Sequence, residues 1–121
     1  AVGYRPWGVY YVLEDQPNFK IKKLIVSPQK RLSLQSHEKR SEHWVVVNGT
    51  ATVQIREKSH PEHIGHRLIR TNESCHVPQG HVHRLANDHD EHLVVIEVQC
   101  GDYTGEDDIT RYHDDFGRKI D

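Results

Sequence analysis

The chain has 121 residues, of which 28% are charged, and its formal net charge is -2 at pH 7. This length suits one domain with a modest core, so we predict a single domain over residues 1–121. The charge excludes a basic nucleic-acid-binding surface, and no apolar run approaches the roughly 20 residues of a membrane span.

The cysteine usage indicates a reducing compartment. Cys75 and Cys100 are far apart and form no Cys-x-x-Cys pair, so we expect reduced thiols and a cytoplasmic protein. Methionine is absent even at position 1, which indicates a processed chain or a domain of a longer protein.

The N-terminal part predicts two strands. Pro6 and Gly8 indicate a fixed loop around Trp7, and the alternating residues 9–13 then form a strand. A second strand covers residues 19–26, and turns follow both strands.

Polar side chains on the next two predicted strands suggest a metal site. Gln35 and His37 are two apart, so they share one face of an extended chain. Glu42 opens the following strand, which ends at Gly49, and it can join them if the charged turn folds this strand back beside the first. An amide oxygen, an imidazole and a carboxylate on one wall form most of a divalent-metal site.

The remaining chain has the pattern of an all-β sandwich or barrel, because turn signals recur about every 8–12 residues. Further strands are predicted at residues 50–56, 66–70, 75–77, 82–86 and 92–99, with a polar hairpin loop at residues 57–65. Within residues 78–87 a Pro/Gly turn places a histidine at the start of a strand. Either His81 or His83 can provide the fourth ligand.

Residues 101–118 are acidic, with Arg111 and Arg118 interleaved, and have weak propensity for regular structure. Composition alone favours a solvated tail.

Two sets of spaced residues stand out in the chain. The first consists of Gln35, His37, Glu42 and Gly49, and the second consists of Pro78, Gly80, His83 and Asn87. Their spacing resembles that of the two cupin motifs, with glutamine in place of the usual first histidine. The resemblance implies an all-β double-stranded β-helix, or jelly roll, with a metal inside the barrel mouth. The motif spacing favours His83 over His81.

Further blocks lie at residues 5–8, 32–37, 42–44, 83–85, 96–101, 106–111 and 115–118. Together they cover nearly the whole chain and resemble the type II mannose-6-phosphate isomerase cupin. That domain usually forms the C-terminal part of a bifunctional enzyme whose other half is a mannose-1-phosphate guanylyltransferase. The nucleotide loop of that half is absent here, so we expect no guanylyl transfer. Three positions depart from the family: Asn72 and Gln29 replace glycine, and Phe116 replaces tyrosine.

The resemblance implies one divalent ion bound by Gln35, His37, Glu42 and His83. It favours zinc or cobalt, while the ligand types also allow manganese, nickel or iron. Aldose–ketose isomerisation further needs a base that moves a proton between C1 and C2. Glu97 is one candidate, with Gln99 on the same strand face for substrate binding, and Lys22 is another.

Both candidate bases have a structural alternative, in which Glu97 pairs with Lys22 or Arg111. The substrate phosphate requires bidentate, permanently charged donors, for which we select Arg111 and Arg118. That choice makes residues 101–118 a lid over the barrel mouth.

The leading hypothesis is therefore a metal-dependent isomerase that interconverts mannose 6-phosphate and fructose 6-phosphate and feeds GDP-mannose synthesis. A second hypothesis is a non-catalytic cupin that binds a sugar phosphate or nucleotide sugar and regulates a partner enzyme. A third, an oxygen-using metal enzyme, is disfavoured by Gln35. Fold analogy predicts a homodimer.

Overall fold

A computed structural model describes residues 1–56, 59–60 and 62–118. Within these residues the chain forms eleven strands: β1 (Val2–Arg5), β2 (Gly8–Gln16), β3 (Phe19–Val26), β4 (Leu34–Ser36), β5 (Ser41–Asn48), β6 (Thr50–Arg56), β7 (Gly65–Arg70), β8 (Ser74–Val77), β9 (Val82–Ala86), β10 (Leu93–Cys100) and β11 (Thr110–His113). No helix in this part of the chain has the length and apolarity needed to cross a membrane.

The strands form two antiparallel sheets that pack as the expected cupin double-stranded β-helix. One sheet has the order β1-β2-β3-β10-β5-β8, and the other has the order β11-β4-β9-β6-β7. Side chains alternate between the interior and the surface along β3, β5 and β10. Their inward residues pack with those of the facing sheet to form the core. Both cysteines are free thiols, as predicted.

The interior changes from apolar to polar along the central strand β10. Leu93 and Val95 belong to the apolar core, whereas Glu97 and Gln99 continue the same buried face with polar side chains. The paired strands follow the same gradient in register, with Val26, Leu24, Lys22 and Lys20 in β3 and Val46, Trp44 and Glu42 in β5. The barrel therefore has a packed apolar end and a polar end.

Several strand predictions are confirmed, and two strands were missed. The bounds of β3, β6 and β9 are those expected from the sequence. The unpredicted β1 is short and mostly exposed, so its sequence carries no burial pattern. The other missed strand, β11, forms because β4 offers it an edge, with Arg111 paired to Gln35.

The predicted arrangement of β4 beside β5 is wrong. β4 pairs with β9 and β11, whereas β5 pairs with β10 and β8 in the other sheet. The turn at residues 37–40 crosses between the sheets, and His37 lies just beyond the end of β4. Glu42 therefore contacts His37 from the other sheet, and the three residues line one cavity without sharing one wall.

Two of the departures from the family coincide with unusual backbone geometry. Gln29 has φ of 61° and Asn72 has φ of 72°, and they are the non-glycine residues with positive φ in the described ranges. Both stand where the resemblance leads us to expect glycine, which adopts this conformation without a Cβ clash. Asparagine tolerates it better than glutamine does. The amide of Gln29 is held by hydrogen bonds to Asp88 O and Asp90 Oδ1.

Candidate metal centre

A cavity of about 110 Å³ occupies the polar end of the barrel. Its wall includes all nine residues selected from the sequence: Lys22, Gln35, His37, Glu42, His83, Glu97, Gln99, Arg111 and Arg118. Strands of both sheets contribute to this wall, because the chain crosses between the sheets at residues 37–40.

Three of these residues form a buried cluster that could hold a metal ion. Nε2 of His83 lies 3.2 Å from Oε1 of Glu42, and Nε2 of His37 lies 3.6 Å from Oε2. The candidate ligand atoms all lie within 4.8 Å of one another. One carboxylate and two imidazoles therefore converge on one point.

Backbone carbonyls fix the orientation of both rings. Nδ1 of His37 contacts the carbonyl oxygen of Asp108 at 2.7 Å, and Nδ1 of His83 contacts that of His81 at 2.9 Å. A carbonyl oxygen only accepts hydrogen bonds, so each Nδ1 carries a proton and each ring turns its Nε2 towards Glu42. The rival residue His81 thus contributes its backbone, while its side chain lies outside the cluster.

The electrostatics favour a cation at this point. Burial alone would raise the pKa of Glu42, but contact with His83 and the nearby His37 and Arg40 hold that pKa well below its usual range. Burial lowers the pKa of His37 to about 4, so this ring is neutral at pH 7. Nε2 of His83 and Oε1 of Glu42 lie 3.2 Å apart, and a lone pair on this nitrogen would be repelled by the carboxylate unless a proton or metal ion lay between them. The donor set fits a divalent ion.

Gln35 lies beside the cluster as the register partner of His83 in the β4–β9 pair. Its Nε2 donates to the carbonyl oxygen of Ser33 at 3.3 Å, which leaves the amide oxygen as the atom suited to a cation. A role for Gln35 as the fourth ligand stays a prediction.

A second buried carboxylate, that of Glu97, faces the same cavity. Oε2 accepts from Nε1 of Trp44 at 2.8 Å, and Oε1 accepts from Nε2 of Gln99 at 2.7 Å. Burial and the charge of Glu42 raise the pKa of Glu97 to about 7. The expected ion pair with Lys22 is replaced by one between Lys22 and Glu106, at 2.7 Å. Glu97 is thus held by neutral donors.

Residues 101–118, hereafter the C-terminal strap, are not a solvated tail. Lys20 Nζ donates to the carbonyl oxygen of Thr104 at 2.8 Å. The carboxylate of Asp108 accepts from the backbone N–H groups of Glu38 and Lys39, both at 3.0 Å. The strap also provides Glu106 to the cavity wall. These contacts tie it across the polar end of the barrel.

The two arginines of the strap differ in whether their guanidinium groups already have hydrogen-bond partners. Arg118 forms a fork with Asp114, at 2.9 and 2.8 Å. Arg111 lies opposite Gln35 in register, and its buried Nε has no hydrogen-bond partner in the structure. Among the described cavity residues, Ser33 Oγ and Gln99 Oε1 are likewise buried and unpartnered. These atoms provide unused hydrogen-bonding capacity on the cavity wall.

Sequence reasoning missed two charged residues of the site, Arg40 and Glu106. Both line the cavity, and Arg40 is buried against Glu42. The available signal was spacing, since Arg40 precedes Glu42 by two residues near the start of a strand. Glu106 gave no such signal, because the path of the strap depends on contacts made with the barrel.

Nearly the whole chain resembles known proteins in sequence. Residues 1–114 match the family model described as "Mannose-6-phosphate isomerase C-terminal". The chain is 46% identical over 115 residues to alginate biosynthesis protein AlgA of Pseudomonas aeruginosa, covering 95% of this chain and 22% of that protein. It is 43% identical over 108 residues to mannose-1-phosphate guanylyltransferase 2 of Escherichia coli O157:H7, covering 89% and 21%. The chain thus spans about a fifth of the length of these relatives.

The fold is also found in a solved structure of distant sequence. The capsular polysaccharide assembling protein CapF of Staphylococcus aureus matches with a TM-score of 0.82 at 17% identity, covering 94% of this chain and 34% of that one. At this identity the likeness establishes the architecture alone.

The cluster makes a direct prediction for metal affinity. Replacing His37 or His83 by alanine, or Glu42 by glutamine, should weaken Zn²⁺ binding by more than the roughly 10–100-fold typical of outer-shell changes. Isothermal titration calorimetry measures this loss. His43→Ala is the matched control, because His43 lies on the outer face of β5 and stacks on His76. Equal affinity of the His37→Ala and His43→Ala proteins would contradict the assignment.

Proposed function

The chain belongs to the mannose-6-phosphate isomerase C-terminal family, and from this membership we propose that it interconverts mannose 6-phosphate and fructose 6-phosphate in a metal-dependent reaction. The observation that carries the proposal is the presence of two buried carboxylates, Glu42 and Glu97, with different surroundings in one cavity. Relatives named for alginate biosynthesis and for mannose-1-phosphate guanylyl transfer support a place beside GDP-mannose synthesis.

The first carboxylate belongs to the group that would hold the metal. His37, Glu42 and His83, with the amide oxygen of Gln35, would bind one divalent ion and leave positions open for oxygen ligands. When bound, the ion supplies Lewis-acid stabilisation for negative charge on the oxygens at C1 and C2. Zinc or cobalt is the proposed metal.

The second carboxylate is the proposed base. Trp44 and Gln99 each donate to one oxygen of Glu97 and so fix the plane of the carboxylate. A pKa of about 7 allows Glu97 to take a proton from one substrate carbon and return it to the neighbouring carbon. Lys22 is the weaker candidate, since its ammonium group is already paired with Glu106.

The remaining polar atoms of the wall would bind the sugar phosphate. Arg111 is the proposed phosphate ligand, because its unpartnered Nε leaves the guanidinium free to form charge-assisted hydrogen bonds. Arg118 could contribute only after it leaves Asp114. The unpartnered Oε1 of Gln99 would accept a hydrogen bond from a sugar hydroxyl.

A coupled assay on metal-stripped protein tests the function. We expect no conversion of mannose 6-phosphate without metal and recovery of turnover with Zn²⁺ or Co²⁺, by a factor on the order of 10³. His43→Ala should behave as the wild type. Binding of the sugar phosphate without conversion under every metal would instead identify a regulatory binding cupin.

The role of Glu97 predicts a pH dependence. Because the base must be deprotonated, kcat/KM should fall as pH drops below the pKa of Glu97. A bound cation lowers this pKa and so moves the acidic limb of the pH profile to lower pH. Glu97→Gln should reduce kcat by about 10²–10⁴-fold. The hydrogen bond from Trp44 lowers this pKa, so Trp44→Phe should move the acidic limb to higher pH. Wild-type turnover in the Glu97→Gln protein would rule out this base.

If Arg111 binds the substrate phosphate, its replacement should impair only the phosphorylated substrate. Arg111→Gln should raise KM for mannose 6-phosphate by about 10–100-fold, which is the cost of losing hydrogen bonds to a charged group. The slow conversion of unphosphorylated mannose, where measurable at high concentration, should not change. An equal loss on both sugars would show that Arg111 supports the cavity without contacting phosphate.

A further inference from the structure

Arg40 is buried directly against two of the candidate metal ligands. It lies in the turn between β4 and β5, and its Nε donates to Oε2 of Glu42 at 3.2 Å. Its Nη2 lies 3.1 Å from the same oxygen and 3.3 Å from Nε2 of His37. The guanidinium therefore donates to atoms that would also bind a cation.

Arg40 and a bound metal ion cannot both use Nε2 of His37. Because Nδ1 of His37 donates to the carbonyl oxygen of Asp108, Nε2 carries the only lone pair of the neutral ring. That lone pair accepts a hydrogen bond from Arg40. A metal ion bound through Nε2 needs the same lone pair, and it would also repel the guanidinium.

The opposite side of the guanidinium reaches the C-terminal strap. Nη1 donates to the carbonyl oxygen of Gly105 at 3.3 Å. The neighbouring residues Thr104 and Glu106 are anchored to Lys20 and Lys22. Arg40 is thus in direct contact with both the ligand cluster and the strap.

We propose that Arg40 is a built-in competitor of the metal, so that a divalent ion binds His37 and Glu42 only as the guanidinium withdraws from His37 Nε2. The arginine thereby lowers metal affinity and links metal occupancy to the position of the strap. This inference rests on the metal site of the proposed function, but it concerns affinity and conformation, which are measured without turnover.

Calorimetry with Zn²⁺ on matched variants tests the competition. Arg40→Gln should bind Zn²⁺ at least about tenfold more tightly than the wild type, since a charge-assisted hydrogen bond no longer has to be broken. Arg40→Lys should fall between them, because a single ammonium cannot span Glu42, His37 and Gly105. Lys39→Gln, which removes an exposed positive charge from the same turn, should match the wild type.

If the Arg40→Gln protein binds Zn²⁺ no more tightly than the wild type, the competition is overturned, and Arg40 then only holds Glu42 in position. The Arg40→Lys protein provides the same comparison if the glutamine variant does not fold. Absence of Zn²⁺ binding in every protein overturns the inference together with its metal premise. A zinc-loaded wild type that binds as expected but does not isomerise would refute the isomerase proposal alone.

Hydrogen exchange in the wild type tests the link to the strap. Addition of Zn²⁺ should change the exchange rates of amides in residues 104–108, and this change should be smaller in the Arg40→Lys protein. Unchanged exchange in the wild type at saturating Zn²⁺ would overturn the link.

Discussion

The buried negative charge of Glu42 is the constraint on which the polar end of the barrel depends. Its exposed fraction is 2%, and an ionised carboxylate at such a site costs several kcal/mol, on the order of a protein's net stability, unless it is compensated. The guanidinium of Arg40 compensates this charge directly, and two imidazoles face the carboxylate. The carbonyl oxygens that orient the imidazoles come from Asp108 and His81, so the surroundings of this one charge depend on distant parts of the chain.

The apolar-to-polar gradient along β3, β5 and β10 places the residues that stabilise the fold at one end of these strands and the residues that line the cavity at the other. At one end of β10, Leu93 and Val95 pack in the core, and at the other end Glu97 and Gln99 line the cavity. The apolar end can be densely packed and rigid, so it holds the polar end in a defined geometry. The strap then covers polar groups that an open barrel end would leave in water.

The sequence was sufficient for the fold class, most strands and nine residues of the cavity wall, because period-two burial and motif spacing are local signals. It did not reveal that Glu42 faces His37 from the opposite sheet, since strand partners depend on the whole topology. Glu106 was missed for the same reason, although residues 101–118 were expected to form a lid over the barrel mouth. Gln29 and Asn72 show a second limit: the sequence marks them as departures from the family, yet the backbone at both positions keeps a positive φ of the kind that glycine adopts. The homodimer and the cytoplasmic location stay predictions.

The late position of β10 in the chain has a consequence for biosynthesis. β3 and β5 are neighbours of β10 on its two sides, and they are joined within their sheet only through it. About three quarters of the 121 residues therefore leave the ribosome before the six-stranded sheet has its middle strand. Pairings this far apart in sequence form slowly, and the waiting strands have unpaired edges. Nascent chains of this protein should accordingly depend on chaperones until β10 has emerged.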